Sequence, residues 1–135
     1  MSAPDRPQER APAPRTMGPL TRTDFVRYQG ASGDFYPIHH DEPFALAAGM
    51  PAVIGIGMLP AGAMAAWATD WLGPDRLRRI SFRWKTPVWP GDVLTIGGAV
   101  VREGGGQREL TLFCDNQKGE RCAEGSAVFE SPNAD

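Results

Sequence analysis

Residues 57–72, GMLPAGAMAAWATDWL, and the run that follows Gly73-Pro74, Arg79-Ile80-Ser81-Phe82-Arg83-Trp84-Lys85-Thr86, decide the fold class. The first stretch carries Pro60 in what would be a first helical turn, where proline is tolerated, and is apolar or small around nearly its whole circumference. That predicts a helix buried on most sides. The second stretch has period two, with Ile80, Phe82 and Trp84 on one face and Arg79, Ser81, Arg83 and Lys85 on the other, which predicts a strand. Further strands are expected at Asp92–Glu103, Gln107–Asp115 and Arg121–Glu130. The connectors Trp89-Pro90-Gly91, Gly104-Gly105-Gly106 and Lys118-Gly119 supply the turn chemistry. Helices followed by an antiparallel meander with one buried face predict an α+β fold, a long central helix wrapped by a curved antiparallel sheet. A sheet of four or five strands leaves edges and half of the helix uncovered, so an oligomer joined edge to edge is expected.

The chain has 135 residues, enough for one domain with its own core and no disulfide staple. A net charge of −2 with 22% charged residues gives no basic face, which argues against nucleic-acid binding. Residues 1–17 hold four prolines, no periodicity and no apolar run. They read as a disordered tail without a secretory pattern, with order starting near Leu20. The apolar stretch over about residues 52–68 is rich in Gly and Ala and reads as a core element, not a membrane span. Cys114 and Cys122 read as reduced thiols of a cytoplasmic protein. A two-residue loop at Lys118-Gly119 would put them on opposite faces and a three-residue loop opposite each other, so pairing stays open. No cluster of ligating residues calls for a metal.

Ahead of the long helix, Thr21 and Asp24 have the spacing of a capping box, opening a short helix with Phe25, Val26 and Tyr28 as its apolar side and Gly30 and Gly33 at its end. Pro37 makes a loop of Asp34 to Asp41. Asp41 is placed to cap a second short helix, Glu42–Ala48, with Pro43 in its first turn and Gly49 beyond it. Both histidines of the chain stand in this loop, in Gly33-Asp34-Phe35-Tyr36-Pro37-Ile38-His39-His40-Asp41. Asp34 and His39 could converge on one water for general acid–base work; a turn-capping Asp and a hydrogen-bonded loop His fit the spacing equally. Ile54-Gly55-Ile56-Gly57-Met58 leads into the long helix. There the free Gly57 N–H could stabilise an oxyanion, or the glycines could serve a tight loop.

Together, the two segments resemble the MaoC-like, hot-dog-fold family of (R)-specific enoyl-CoA hydratases and 3-hydroxyacyl dehydratases. The family motif S-G-D-x-N-P-x-H-x-D, then A-x-x-x-G, then H-G-M-L, is matched by Ser32 to Asp41, Ala45 to Gly49 and Ile56-Gly57-Met58-Leu59. Pro19 to Asp24 is similar to the lead-in helix, and Phe82 to Val88 with Pro90-Gly91-Asp92 to the sheet segment, so a single hot-dog domain over residues 18–131 is implied. The resemblance implies that Asp34 and His39 activate water and that the Gly57 amide binds the thioester oxygen. Tyr36 and Ile56 join Gly57 as oxyanion or substrate-binding positions, standing where the family has Asn and His; Ala65 replaces a usual hydroxyl. The implied reaction is syn hydration of a trans-2-enoyl-CoA to the (R)-3-hydroxyacyl-CoA, or its reverse, with no cofactor apart from the coenzyme A of the substrate.

Ala61, Gly62, Ala63, Ala65 and Ala66 leave room for a bulky acyl group, or else let the helix sit close to the sheet. With Ala68 to Pro74, the chain is similar to the small catalytic subunit of heteromeric steroid enoyl-CoA hydratases, which implies a second MaoC-like chain lacking the dyad, in a heterodimer or heterotetramer; otherwise a homodimer is expected. It also resembles the catalytic subunit of a 3-hydroxyacyl-carrier-protein dehydratase of fatty-acid synthesis. A non-catalytic supporting subunit would have no need of Asp34 and His39. A thioesterase-like protein would place a carboxylate on the central helix, which has only Asp70 near its far end. Arg79, Arg83 and Lys85, with Arg76 and Arg78 nearby, read as a solvated outer face ahead of a contact for coenzyme A phosphates, and Trp67, Trp71 and Trp84 as core or interface.

Overall fold

In a computed structural model of the chain, which describes residues 10–132, five strands form one antiparallel sheet. They are β1 (Arg15–Met17), β2 (Leu77–Trp84), β3 (Leu94–Gly104), β4 (Gln107–Asp115) and β5 (Arg121–Glu130), in the order β1-β3-β4-β5-β2. Three helices precede β2: α1 (Arg22–Ser32), α2 (Glu42–Ala47) and α3 (Met58–Leu72). The period-two pattern sets the register. Across the sheet, Val100, Leu110, Ala127 and Ile80 stand in one row. Ile96, Cys114, Ala123 and Trp84 stand in another.

α3 lies across this inner face against β2, β3, β4 and β5. Pro60, Ala61, Met64, Trp67 and Ala68 form its buried stripe, at the spacing of one helical face. Gly98 makes the close approach possible. A Cβ there would fall 2.3 Å from the Thr111 carbonyl oxygen and 3.2 Å from the Trp67 ring. The helix is buried on most sides, as expected, with Gly62, Ala63, Ala65 and Ala66 half-buried.

Order begins earlier than the sequence suggests. Residues 10–17, assigned to a tail, lie along the sheet and α3, while residues 1–9 of that assignment fall outside the described residues. β1 pairs with Leu94–Ile96, the Trp67 indole donates to the Ala13 carbonyl at 3.3 Å, and Arg15 meets Asp70 at 3.0 Å. Three ladder positions and two side-chain ties hold a segment that has no hydrophobic period of its own.

The capping box at Thr21 and Asp24 is present, and Gly33 closes α1 in the left-handed conformation at φ 77°. The buried side of α1 is Phe25 and Gln29, not Val26, which is exposed. The β4–β5 connection is longer than either expected loop. Asn116 holds it with its side-chain oxygen accepting from the Lys118 and Glu120 amides at 3.0 Å each. Cys114 faces Ala123 while Cys122 falls in the register shift beside it; both thiols are buried and free. On the outer face, Arg79, Arg83 and Lys85 are exposed and Lys85 pairs with Glu124 at 3.3 Å, as a solvated stripe should. No helix among the described residues is long and apolar enough to cross a membrane.

Candidate active site

The loop between α1 and α2 is built by short-range chemistry. Asp34 Oδ1 accepts from the Tyr36 amide at 3.2 Å, an Asx turn that leaves Oδ2 free. Pro37 then opens a single 3₁₀ turn, Pro37–His39, and Asp41 caps α2 by accepting from the Phe44 amide. The Asx turn and the 3₁₀ turn bring the Asp34 carboxylate to the His39 ring, with Oδ2 3.7 Å from Nε2. The His39 side chain is 12% exposed and that of Asp34 46%, so the pair sits at the floor and rim of an open site.

His39 Nδ1 lies 2.7 Å from the Ile54 carbonyl oxygen. A carbonyl only accepts, so in the neutral ring Nδ1 carries the proton and Nε2 presents its lone pair to Asp34. Two acceptors thus face each other beyond direct hydrogen-bond distance. A water placed between them can donate one O–H to each, which is the arrangement general-base activation needs.

The same Ile54 joins the loop to the entry of α3. Its amide donates to the Ile38 carbonyl at 3.1 Å, and the Gly55 amide to the Val88 carbonyl at 2.7 Å. Three residues beyond Ile54, Gly57 is the N-cap of α3 and has no side chain to cap it. Its own N–H makes no backbone hydrogen bond among the described residues and is exposed at the positive end of the helix dipole.

The structure therefore brings Asp34 to His39, and His39 to Ile54, which stands three residues ahead of the Gly57 turn. Tyr36 stands at the rim, with its ring edge-on to His39 at 6.0 Å and to Phe44 at 5.6 Å. Ile56, expected among the substrate-binding positions, is only 2% exposed and packs in the core behind the Gly57 turn. An isoleucine there has no polar group to draw it outward.

Sequence reasoning missed Gln29. Its side chain is buried, donates from Nε2 to the Tyr36 carbonyl at 3.1 Å, and accepts through Oε1 from His40 Nδ1 at 3.0 Å. It ties both ends of the catalytic loop to α1. The signal was the spacing Phe25, Tyr28, Gln29, which puts a polar residue on a buried helical stripe. His40 is thereby a structural neighbour, not a third member of the dyad. Among the described residues no group of three or more His, Cys, Asp or Glu side chains is placed to hold a metal.

A helix packed on a five-stranded antiparallel sheet is a hot-dog fold, and its Asp–His pair stands on the loop between α1 and α2. The MaoC-like domain family matches residues 2–113, and the chain belongs to that family of hydratases and dehydratases. Over 72 residues it is 32% identical to the 3-oxo-4,17-pregnadiene-20-carboxyl-CoA hydratase beta subunit of Mycobacterium tuberculosis, covering 53% of this chain and 56% of that one. The (R)-hydratase PhaJ1 of Pseudomonas aeruginosa superposes with a TM-score of 0.79 at 26% identity, over 90% of this chain and 80% of that one. The ChsH1–ChsH2 complex of Mycobacterium tuberculosis superposes with a TM-score of 0.78 at 23% identity, over 87% of this chain and 92% of the matched one, a likeness of fold. The chain thus spans about half of the hydratase subunit, and only 3% of a fatty acid synthase of Mycosarcoma maydis that it matches at 29% over 116 residues.

Proposed function

We propose that the chain hydrates a trans-2-enoyl-CoA to the (R)-3-hydroxyacyl-CoA, as the catalytic subunit of a hetero-oligomer. The observation that carries this is the facing of two proton acceptors, Asp34 Oδ2 and His39 Nε2, 3.7 Å apart. The pair takes a proton from the water as its oxygen bonds to the β-carbon, and a proton is returned to the α-carbon. H and OH have then been added and the dyad is unchanged. Charge developing on the thioester oxygen is met by the Gly57 N–H. The carbon–oxygen bond forms at the expense of the C=C π bond and the remaining steps are proton transfers, with no net redox change, so no cofactor is required beyond the coenzyme A carried by the substrate.

The half-buried Ala63, Ala65 and Ala66 side of α3 supports a bulky acyl group, and the likeness to a steroid hydratase subunit supports a steroid side chain. Two features support a second hot-dog chain as partner. β2 ends the sheet with eight residues and no strand beyond it among the described residues, and Trp84 on its inner face is 50% exposed. A homodimer through the same edge is the simpler variant of that assembly. A cytoplasmic location follows from coenzyme A thioester chemistry and free thiols.

The match to a fatty acid synthase favours a second reading, dehydration of a 3-hydroxyacyl carrier protein by the same groups run backwards. The deciding experiment follows the ultraviolet absorption of short, long and steroid side-chain enoyl-CoA thioesters, with carrier-protein thioesters alongside, using the chain alone and with a co-purifying hot-dog partner. Loss of absorption on the steroid thioester supports the first reading. Turnover confined to carrier-protein thioesters supports the second. Normal turnover by Asp34→Asn protein overturns the dyad in both.

A further inference from the structure

We infer that Trp84 and Tyr28 are positioning residues that clamp the first turn of α3 and so aim the Gly57 amide; this rests on the hydratase reading of the site. The Trp84 indole Nε1 donates to the Gly57 carbonyl oxygen at 2.6 Å, reaching from the end of β2. The Tyr28 hydroxyl donates to the Met58 carbonyl oxygen at 2.7 Å, reaching from α1. Two consecutive carbonyls of one turn are thus held by side chains from separate elements.

Neither carbonyl needs these donors. At an N-cap and at the first helical position, carbonyls already accept from the amides four residues on. The plane that carries the Gly57 N–H is held at the Ile56 carbonyl, which accepts from the Leu59 amide at 3.0 Å, and the two side-chain donors hold the next two planes of the turn. Its N-cap is a glycine with no side-chain cap, and glycine leaves its two dihedral angles free. At φ −56° and ψ −34° Gly57 sits in the helical well with no Cβ to favour it, and the indole N–H fixes the plane of its carbonyl instead. The missing Cβ is also what admits the indole, since one built on Gly57 would lie 3.2 Å from Trp84 Nε1. Tyr28 closes in the same way on Gly62, where a Cβ would lie 3.3 Å from its hydroxyl. An amide that stabilises charge only as it develops must be aimed before the reaction starts, since reorientation during the step would consume the gain.

The test uses the full chain with whatever partner it needs for turnover. Trp84→Phe and Tyr28→Phe each keep a ring and remove one donor. Each is expected to lower kcat about tenfold with KM held within about twofold, the pattern of an interaction realised in the transition state. The pH profile should not move, because Asp34 and His39 are untouched. In Asp34→Asn protein holding bound enoyl-CoA, the thioester carbonyl stretch should rise when Trp84→Phe is added, reporting a weaker hydrogen bond to its oxygen. Unchanged kcat in both variants overturns the clamp. So does a loss that merely tracks the folded fraction by circular dichroism while the carbonyl stretch stays put. If the unsubstituted assembly hydrates no enoyl thioester, the site reading fails and takes the clamp with it; an active assembly insensitive to both substitutions sinks the clamp alone.

Discussion

His39 Nδ1–H donates to the carbonyl of Ile54 at 2.7 Å, and this one contact sets which ring nitrogen is left to accept from water. A backbone carbonyl cannot be protonated or turned away without moving the chain, so the tautomer is held by the fold. In ¹⁵N-labelled protein above the pH at which the ring is neutral, the His39 nitrogens should show the Nδ1–H tautomer. A shift pattern of the Nε2–H form would contradict the assignment of Nε2 as acceptor.

Removing either acceptor should abolish most of the rate. His39→Ala and Asp34→Asn are each expected to lower kcat by about 10²–10⁴-fold, the usual contribution of a placed acid or base. Neither side chain is part of the hydrophobic core, but His39 is mostly buried and holds the Ile54 carbonyl while Asp34 is exposed. The far-ultraviolet spectra of both variants should stay near that of the parent protein, with the melting temperature of Asp34→Asn little changed and that of His39→Ala lowered.

Gln29→Leu should act at a distance from the chemistry. It leaves the Tyr36 carbonyl and the His40 Nδ1–H without the partner that ties them to α1. Loss of such buried bonds costs on the order of 1–3 kcal/mol, and the freed loop should also lower kcat. Parallel thermal melts and turnover measurements check this. A melting temperature that falls with kcat intact would confine Gln29 to stability.

The Thr21–Asp24 capping box predicts an acid-sensitive increment of stability. Hydrogen bonds from the Thr21 backbone amide and hydroxyl hold the Asp24 carboxyl below its ordinary value. A group whose native pKa is lowered stabilises the fold above its unfolded pKa and loses that contribution as pH falls through the native one. Asp24→Ala should therefore melt lower than the parent near neutrality, and the gap should close in strong acid. A gap independent of pH would mean that the carboxylate is not what the cap uses.

Both thiols should be silent in the native protein. Burial, first of all, pushes Cys114 up to about 12 and Cys122 up to about 11. At pH 8 almost no thiolate is present to react. A thiol reagent should label neither cysteine until denaturant is added, and then both; fast labelling of the folded chain would show that β4 and β5 open locally.

Much of the fold was legible because its signals are local and repeated. The alternation of β4 and β5 gives Gln107–Asp115 and Arg121–Glu130, the very bounds observed, and the helix caps at Thr21, Asp41 and Gly57 were readable from single residues. β1 was not legible, because what orders Arg15–Met17 is a ladder with residues 94–96, far along the chain, and a three-residue strand has too little pattern to show. The candidate site divides the same way. Asp34, His39 and Gly57 stand in one recognisable spacing, and Asp34 and His39 are brought together. Gln29, Tyr28 and Trp84 belong to other elements, and only the packing of α1 and β2 onto the loop and α3 reveals what their polar atoms meet. Ile56, which stands where the family has a histidine, turns its apolar side chain inward and is 2% exposed.

The pairing of Ile54 with Ile38 and His39 makes residues 34–58 a self-braced unit. On the proposed reading, the spacing between the base and the turn that receives the thioester oxygen is carried within one stretch of chain. A partner along the open edge of β2 would meet Trp84 and, through it, the turn that Trp84 holds. The choice of substrate and the power to transform it would then be tied to one contact.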